Sequence, residues 1–313
     1  MSRPPPTNAT APEPRPRVVV AGGSGFIGRR LCAVLGGGGY EVVVLSRQAA
    51  RPAVGPVRFV RWRGTTAGLD DTWPAEIDGA RAVINLCGES IGGPRWTASR
   101  KASLLASRVE PTKALVAAVN GADQPPRLFV QSSGVGYYGT GEKTRNERSP
   151  AGDDFLAGLA AAWEAPLGSL RGDVRPVVAR LGVVLGRTGG ALAQMLLPFR
   201  LFVGGPIATG NQWLSWIHLH DAAALIAGFV EDAECTGIYN LVAPHPVRNA
   251  EFAAAAGKAL RRPTFMFAPR FVLKALLGEQ ATLVCDGQRV VSERVGHFPF
   301  AYPTLAEALD NLL

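Results

Sequence analysis

Short runs of β-branched and aliphatic residues, each closed by glycine or a polar residue, alternate with longer stretches of helical spacing over the first 186 positions. RVVVAGG (17–23) reads as a buried strand ending in a turn. GFIGRRLCAVLGGGG (25–39) reads as a helix closed by four glycines, and YEVVVLSR (40–47) as a second strand. ARAVINLCG (80–88) and RLFVQSSG (127–134) are two more apolar strands. The stretch between them (99–121) has helical spacing, with Pro111 marking a break or a first-turn position. DDFLAGLAAAWEAPLGSL (153–170) is another helix, with acids at its positive end. VRPVVARLGVVLG (174–186) is a fifth strand. Strands alternating with helices at this rhythm pair in parallel, with helices on both faces, so the pattern predicts a doubly wound α/β sheet.

After Gly186 the alternation stops, which predicts a smaller second lobe. WIHLHDAAALIAGFVEDA and GIYNL (237–241) read as a return to the sheet. The expected division is a nucleotide-binding domain of residues 17–186 plus about 215–242, and a substrate-side domain of 187–214 plus 243–313. Residues 1–16 hold six prolines and are expected to form a disordered tail.

Composition narrows the class. The chain has 313 residues and is 47% hydrophobic and 19% charged, enough to bury a large core. No apolar run reaches the roughly 18–20 residues that cross a bilayer, and the start does not read as a secretory signal. Cys32, Cys87, Cys235 and Cys285 lie far apart with no CxxC pair, which points to a reduced, cytoplasmic protein without a disulfide framework or zinc site. The net charge of +8 favours anionic partners such as nucleotides and phosphorylated molecules; the expected partner is a small anionic or carbonyl substrate, and no membrane contact is expected. No nucleic-acid module is visible, and the sequence leaves the oligomeric state open.

The first strand–helix turn, AGGSGFIG, places Gly22, Gly25 and Gly28 in a G-x-x-G-x-x-G spacing. Glycines there allow a tight turn, close approach of backbone to a pyrophosphate, and close packing of helix on strand. Ser24, Phe26 and Ile27 fill the same loop, whose helix N-terminus offers free N–H groups to the anion. The second strand ends in Ser46 and Arg47, where an NAD-binding chain usually carries a carboxylate. Arg47 can grip a 2′-phosphate that a carboxylate repels, so the expected cofactor is NADP(H).

These features resemble the extended short-chain dehydrogenase/reductase superfamily. More narrowly, the chain is similar to its YfcH-like "epimerase family" branch, of NAD(P)-dependent epimerase/dehydratase type. The resemblance rests on GGSGFIGRRL, INLCGESI, SSGVGYYG, RLGVVLG, GGPIATGNQWLSWIH and NLVAPHPVRNAEFA, and it covers nearly everything from Arg17 onward. It implies a Rossmann sheet with a smaller C-terminal substrate lobe. It also implies cofactor contacts from Leu86, Cys87 and Gly88 at the end of the fourth strand, from Arg108, and from the backbone of Val184.

The superfamily's chemistry uses a Ser or Thr, then a Tyr-x-x-x-Lys on a later helix, the lysine lowering the phenol's pKa. Here Leu156 and Ala160 stand at the Tyr and Lys positions, and no lysine occurs between Lys143 and Lys258. The candidates that remain are Ser133, Tyr137 and Glu89. Tyr138 with Gly139 matches a structural corner, whereas Tyr137 is an additional phenol. Gln212, Trp213 and Trp216 are candidates to line the substrate cleft, and Asp221 is expected to cap the helix that follows it. Two functions stay open. One is an NADP(H)-dependent oxidoreductase or epimerase-like enzyme with an atypical acid. The other is a binding module that holds NADP without hydride chemistry.

Overall fold

The computed structural model describes residues 15–48, 52–69 and 71–313. Apart from residues 15 and 16, the proline-rich segment lies outside the described residues. The first half of the chain runs β1 (Arg17–Ala21), α1 (Phe26–Gly37), β2 (Glu41–Ser46), β3 (Val57–Arg61), β4 (Ala82–Asn85), α2 (Ala98–Asn120), β5 (Leu128–Gly134), β6 (Gly141–Arg145), α3 (Phe155–Glu164) and β7 (Arg175–Leu181). Then come β8 (Val183–Gly186), β9 (Gly189–Gly190), α4 (Leu192–Arg200), β10 (Trp213–Leu214), β11 (Trp216–His218), α5 (Leu219–Glu231) and β12 (Gly237–Leu241). β13 (Val247–Arg248), α6 (Asn249–Leu260), α7 (Arg270–Leu277), α8 (Thr282–Cys285), β14 (Gln288–Val290) and α9 (Leu305–Leu312) complete it.

Seven strands form one parallel sheet in the order β12-β7-β5-β4-β1-β2-β3. The reversal between β1 and β4 is the switch point where doubly wound sheets bind their ligands. Continuous apolar strands suit this place because both faces are covered. Val18, Val20, Val42 and Val44 face one core with Leu31 and Leu35 of α1 and Leu225, Ile226 and Phe229 of α5. Val19, Val43 and Leu45 face the other, with Leu115 and Val119 of α2. Each such buried side chain contributes about 1.5–3 kcal/mol, so the two cores fix the register.

Three details differ from the sequence pattern. The run 174–186 is two strands, not one, divided at Gly182. A Cβ at Gly182 would stand 2.7 Å from Ser215 O, and here the chain leaves β12 to pair with β11. β3 was not foreseen, because its VRFVR sequence carries arginines and forms a half-exposed edge. Pro111 neither breaks α2 nor starts it; it lies inside a continuous helix. In the same turn Thr112 Oγ1 donates to Arg108 O at 2.7 Å.

A third core joins Leu192, Leu196 and Phe199 of α4 to Phe252 and Ala256 of α6 and Leu305, Leu309 and Leu312 of α9. Leu185 of β8 and Trp216 of β11 belong to the same cluster. The β12 strand returns to the main sheet beside β7, as the pattern of GIYNL predicts.

Candidate functional site

The first turn is built around Gly22, whose φ of +77° is open to glycine but strained for other residues. A Cβ there would also stand 2.9 Å from the backbone of Leu86, so β4 passes directly beside the turn. Gly28 is packed still closer, with a Cβ placed 2.4 Å from Gly22 O. Gly25 differs: it is exposed, and its nearest neighbour would be Gly22 O at 3.1 Å. It is the open lip of a cradle whose other two glycines hold it together. No side chain caps the start of α1, and no acid lies in its first turn, so that end stays positive and accessible. The arrangement fits a dinucleotide pyrophosphate.

Ser46 is buried and its Oγ accepts from Gln48 N at 3.2 Å, shaping the turn after β2. Arg47 is exposed beside it. Its charge is felt across the sheet edge, at both Cys87 and Glu89. Burial still pushes the Cys87 thiol up to about 12, so it is an inert lining group. Leu86 packs on the first core, and Val184 of β8 does the same from the far side of the sheet edge.

Arg108 reaches the sheet edge as the superfamily plan implies, but its donors go to the protein. Nη2 donates to Glu89 O at 2.9 Å and Nη1 to Leu104 O at 3.0 Å, while the guanidinium lies 4.8 Å from the Trp163 ring centre. It runs beneath Gly88, where a Cβ would touch it at 3.1 Å. Burial lowers its pKa to about 10. Arg108 thus pins the loop after β4.

Glu89 is paired with Arg100 and accepts from Ser103 Oγ at 3.1 Å. Burial pushes its carboxyl up, but the hydrogen bonds from Arg100 and Ser103 and the charges of Arg100 and Arg47 outweigh it and hold the group below the usual carboxylate range. At neutral pH it is an anion, not a proton donor.

At the end of β5 the structure brings together residues that are distant in sequence. Ser133, Arg180 and Asn240 are neighbours in one row across β5, β7 and β12. Ser133 Oγ donates to Glu164 Oε1 at 2.6 Å. Arg180 clasps both oxygens of Glu164, Nε to Oε1 at 2.8 Å and Nη2 to Oε2 at 2.7 Å. Its Nη1 donates to the Tyr138 hydroxyl at 3.0 Å, and that hydroxyl donates to Asn240 Oδ1 at 2.7 Å. Burial raises the Tyr138 phenol, against Arg180, so Tyr138 is the structural corner its sequence position implies. Tyr137 lies with its ring over the Arg180 guanidinium, 3.3 Å from carbon to ring centre. The Tyr137 hydroxyl has no hydrogen-bond partner among the described residues.

Glu164 and Arg180 are the pair that sequence reasoning missed as site residues. The signal was an arginine inside an apolar strand: Arg180 is only 1% exposed, and a guanidinium so buried requires a charged partner. Leu156 and Ala160, at the missing Tyr and Lys positions, are apolar positions of α3 that line this corner; a Cβ on Gly136 would meet the Leu156 side chain at 3.2 Å. Of the cleft candidates, Trp213 is sandwiched between Arg248 and Arg289 and donates to Glu142, Gln212 Nε2 donates to Ile207 O and Val284 O, and Trp216 is buried in the third core. Asp221 is not the helix cap. His218 caps α5, and Asp221 accepts instead from Ala301 N and Tyr302 N. Among the described residues no group of three or more His, Cys, Asp or Glu is placed to hold a metal ion.

A parallel sheet with a glycine cradle at its switch point, an exposed arginine at the end of β2 and a polar cluster at the end of β5 defines a dinucleotide-binding protein of the Rossmann type. Residues 18–241 match the NAD dependent epimerase/dehydratase family, to which the chain belongs, and residues 268–312 match DUF1731, a domain of unknown function. The chain is 42% identical to the epimerase family protein SDR39U1 of Bos taurus, over 95% of this chain and 99% of that one. It is 38% identical to the epimerase family protein YfhF of Bacillus subtilis, covering 95% and 97% of the two chains. A crystal structure of human epimerase family protein SDR39U1 with NADPH is similar over 95% of this chain and 98% of that chain, with 39% identity and a TM-score of 0.85. Among the described residues no helix is long and apolar enough to cross a membrane.

Proposed function

We propose that this chain is an NADP(H)-dependent oxidoreductase or epimerase-like enzyme whose proton donor is Tyr137. NADP(H) is supported by Arg47 at the end of β2 and by the NADPH bound to the human relative. Gly22, Gly25 and Gly28 with Ser24, Phe26 and Ile27 hold the pyrophosphate, Arg47 holds the 2′-phosphate, and Leu86 to Gly88 and Val184 flank the rest. The division into a nucleotide-binding domain and a substrate-side lobe at 187–214 plus 243–313 belongs to the same reading; it is supported by the third core, most of which lies in that lobe, with Leu185 and Trp216 joining it from the other side.

The observation that carries the reading is the cluster around Arg180. Ser133 gives its one hydroxyl proton to Glu164, so it presents lone pairs to a bound substrate and acts as an acceptor there. It therefore orients a hydroxyl or amide and does not protonate a carbonyl. The unpartnered phenol of Tyr137, seated on Arg180, is the group with a proton to give. Bound NADPH would supply the hydride to a carbonyl carbon, and Tyr137 the proton to its oxygen.

The test is to incubate the protein and its cofactor with a panel of carbonyl compounds and nucleotide sugars and follow both NADPH oxidation and epimerised product, with Tyr137→Phe alongside. The variant should turn over roughly 10²–10⁴-fold more slowly at little cost in NADPH affinity, because one hydroxyl of a general acid is removed. Full activity in Tyr137→Phe excludes this acid. A second reading, a binding module without hydride chemistry, is favoured by Leu156 and Ala160 in place of the usual pair. It is the correct one if no substrate oxidises NADPH while a partner is captured only in its presence.

A further inference from the structure

A second polar cavity, about 390 Å³ in volume, lies where α1, the β8–β9 turn, the start of α5 and the end of α9 meet. Arg30 enters from α1, Arg187 and Thr188 from the turn, His218 from the end of β11 and His220 from α5, and no acidic side chain lines it. Arg30 Nη2 is 2.6 Å from His220 Nδ1, and Arg187 Nη2 donates to Asn311 O at 2.8 Å. Neither guanidinium has a carboxylate partner among the described residues, and each has further N–H groups to give. Arg58, Arg100, Arg171, Arg180, Arg248 and Arg270, in contrast, are each paired with an acid.

His218 adds an independent observation. It is 5% exposed, and its Nδ1 accepts from His220 N at 3.1 Å. A neutral ring so engaged carries its proton on Nε2. That Nε2 makes no hydrogen bond in the structure, although the Asn311 amide stands near enough to favour the protonated ring. A buried N–H without an acceptor is costly unless something supplies one. The N-terminus of α5, a helix of 13 residues, opens at the same place and adds its positive end. Asp221, in the first turn of α5, offsets that positive end: its carboxylate keeps its charge while accepting from Ala301 N and Tyr302 N, and the charge is felt at His218, although Asp221 does not line the cavity.

Two guanidiniums without a carboxylate partner, in a cavity with no acidic lining, and a buried N–H that makes no hydrogen bond call for anionic oxygen. We propose that this cavity binds the phosphate group of a small phosphorylated molecule, at a site distinct from the dinucleotide cradle. Its volume is at the small end of ligand pockets and suits a phosphorylated metabolite rather than a dinucleotide. The site also adjoins the cofactor loop: Cβ atoms on Gly186 and Gly189 would press on the Phe26 ring at 2.6 and 2.7 Å. A ligand held by the β8–β9 turn is thus one side chain away from the cradle.

The experiment is a calorimetric titration of inorganic phosphate, and separately glycerol phosphate, into the full chain saturated with NADPH at fixed ionic strength. NADPH affinity is measured in the same samples, so a failure of the dinucleotide reading shows itself separately. Saturable binding is expected, weakened by about tenfold or more in Arg187→Gln and in Arg30→Gln, as loss of a charge-assisted contact implies. Tighter binding of glycerol phosphate assigns the site to an organic phosphate, and tighter binding of inorganic phosphate to the free ion. No saturable heat with NADPH bound, binding in both variants as tight as in the unmutated protein, or equal competition by chloride each overturns the proposal.

Discussion

At the level of single residues, the proposed contact to the 2′-phosphate falls to Arg47. It is exposed at the end of β2 with its charge directed across the sheet edge. A charge-assisted hydrogen bond to a phosphate is worth on the order of 1.5–3 kcal/mol. Arg47→Ala should therefore weaken NADPH binding roughly 10- to 100-fold and leave NADH nearly unchanged. Fluorescence titration of the two cofactors checks this, and equal affinities in the unmutated protein would sink it. The place of Arg47, exposed at the end of β2, was legible in the sequence because it follows from the strand pattern. Arg180 was not, because its meaning lies in a partner 16 residues away on another element. Removing one member of a buried pair strands the other charge, at a cost of about 3–5 kcal/mol. Glu164→Ala should accordingly lower the urea midpoint sharply, whereas Arg47→Ala should not move it.

At the level of elements, the cradle separates folding from binding. Gly28 touches Gly22 and Gly23 so closely that any side chain there forces the helix off the strand. Gly25 has an ordinary backbone conformation, with φ −76°, and space on its outer side. Gly25→Val should give a folded protein of nearly unchanged melting temperature that no longer binds NADPH, because the branched side chain occupies the pyrophosphate's approach. Gly28→Ala should lose stability by about 1–3 kcal/mol, as overpacked sites do. Unchanged NADPH affinity in Gly25→Val would reduce the loop to a turn. The elements themselves were legible wherever both faces of a strand are buried, as in β1, β2, β4 and β5, since continuous apolar runs mark them. The pattern failed at β3, which is half-exposed and carries arginines, and at Gly182, where the change of pairing partner leaves no mark on hydrophobicity.

At the level of the whole molecule, the segment around residues 301–302 is clasped to the start of α5. His218, the last residue of β11, stacks on Tyr302 with ring centres 3.9 Å apart and accepts from His220 N, while Asp221 holds the backbone of 301 and 302. Asp221 and Asn311 favour protonation of the His218 ring, and His220 and Arg30 oppose it. Burial outweighs them all and pushes the pKa down to about 4. In the unfolded chain the same ring titrates near 6.5. Between those values the unfolded state binds the extra proton, so stability is fully present above about pH 6.5 and is lost as pH falls toward 4. The full difference is at most about 3 kcal/mol, from roughly 1.36 kcal/mol per pKa unit. Protonation also removes the acceptor that caps α5, which breaks the clasp at its centre. His218→Asn keeps a capping acceptor but does not titrate. Urea unfolding at pH 7.5 and pH 4.5 should therefore show a smaller acid-induced loss in His218→Asn than in the unmutated protein, the difference isolating His218 from the carboxylates that titrate nearby. Equal losses in the two proteins would mean that the clasp does not depend on the neutral ring.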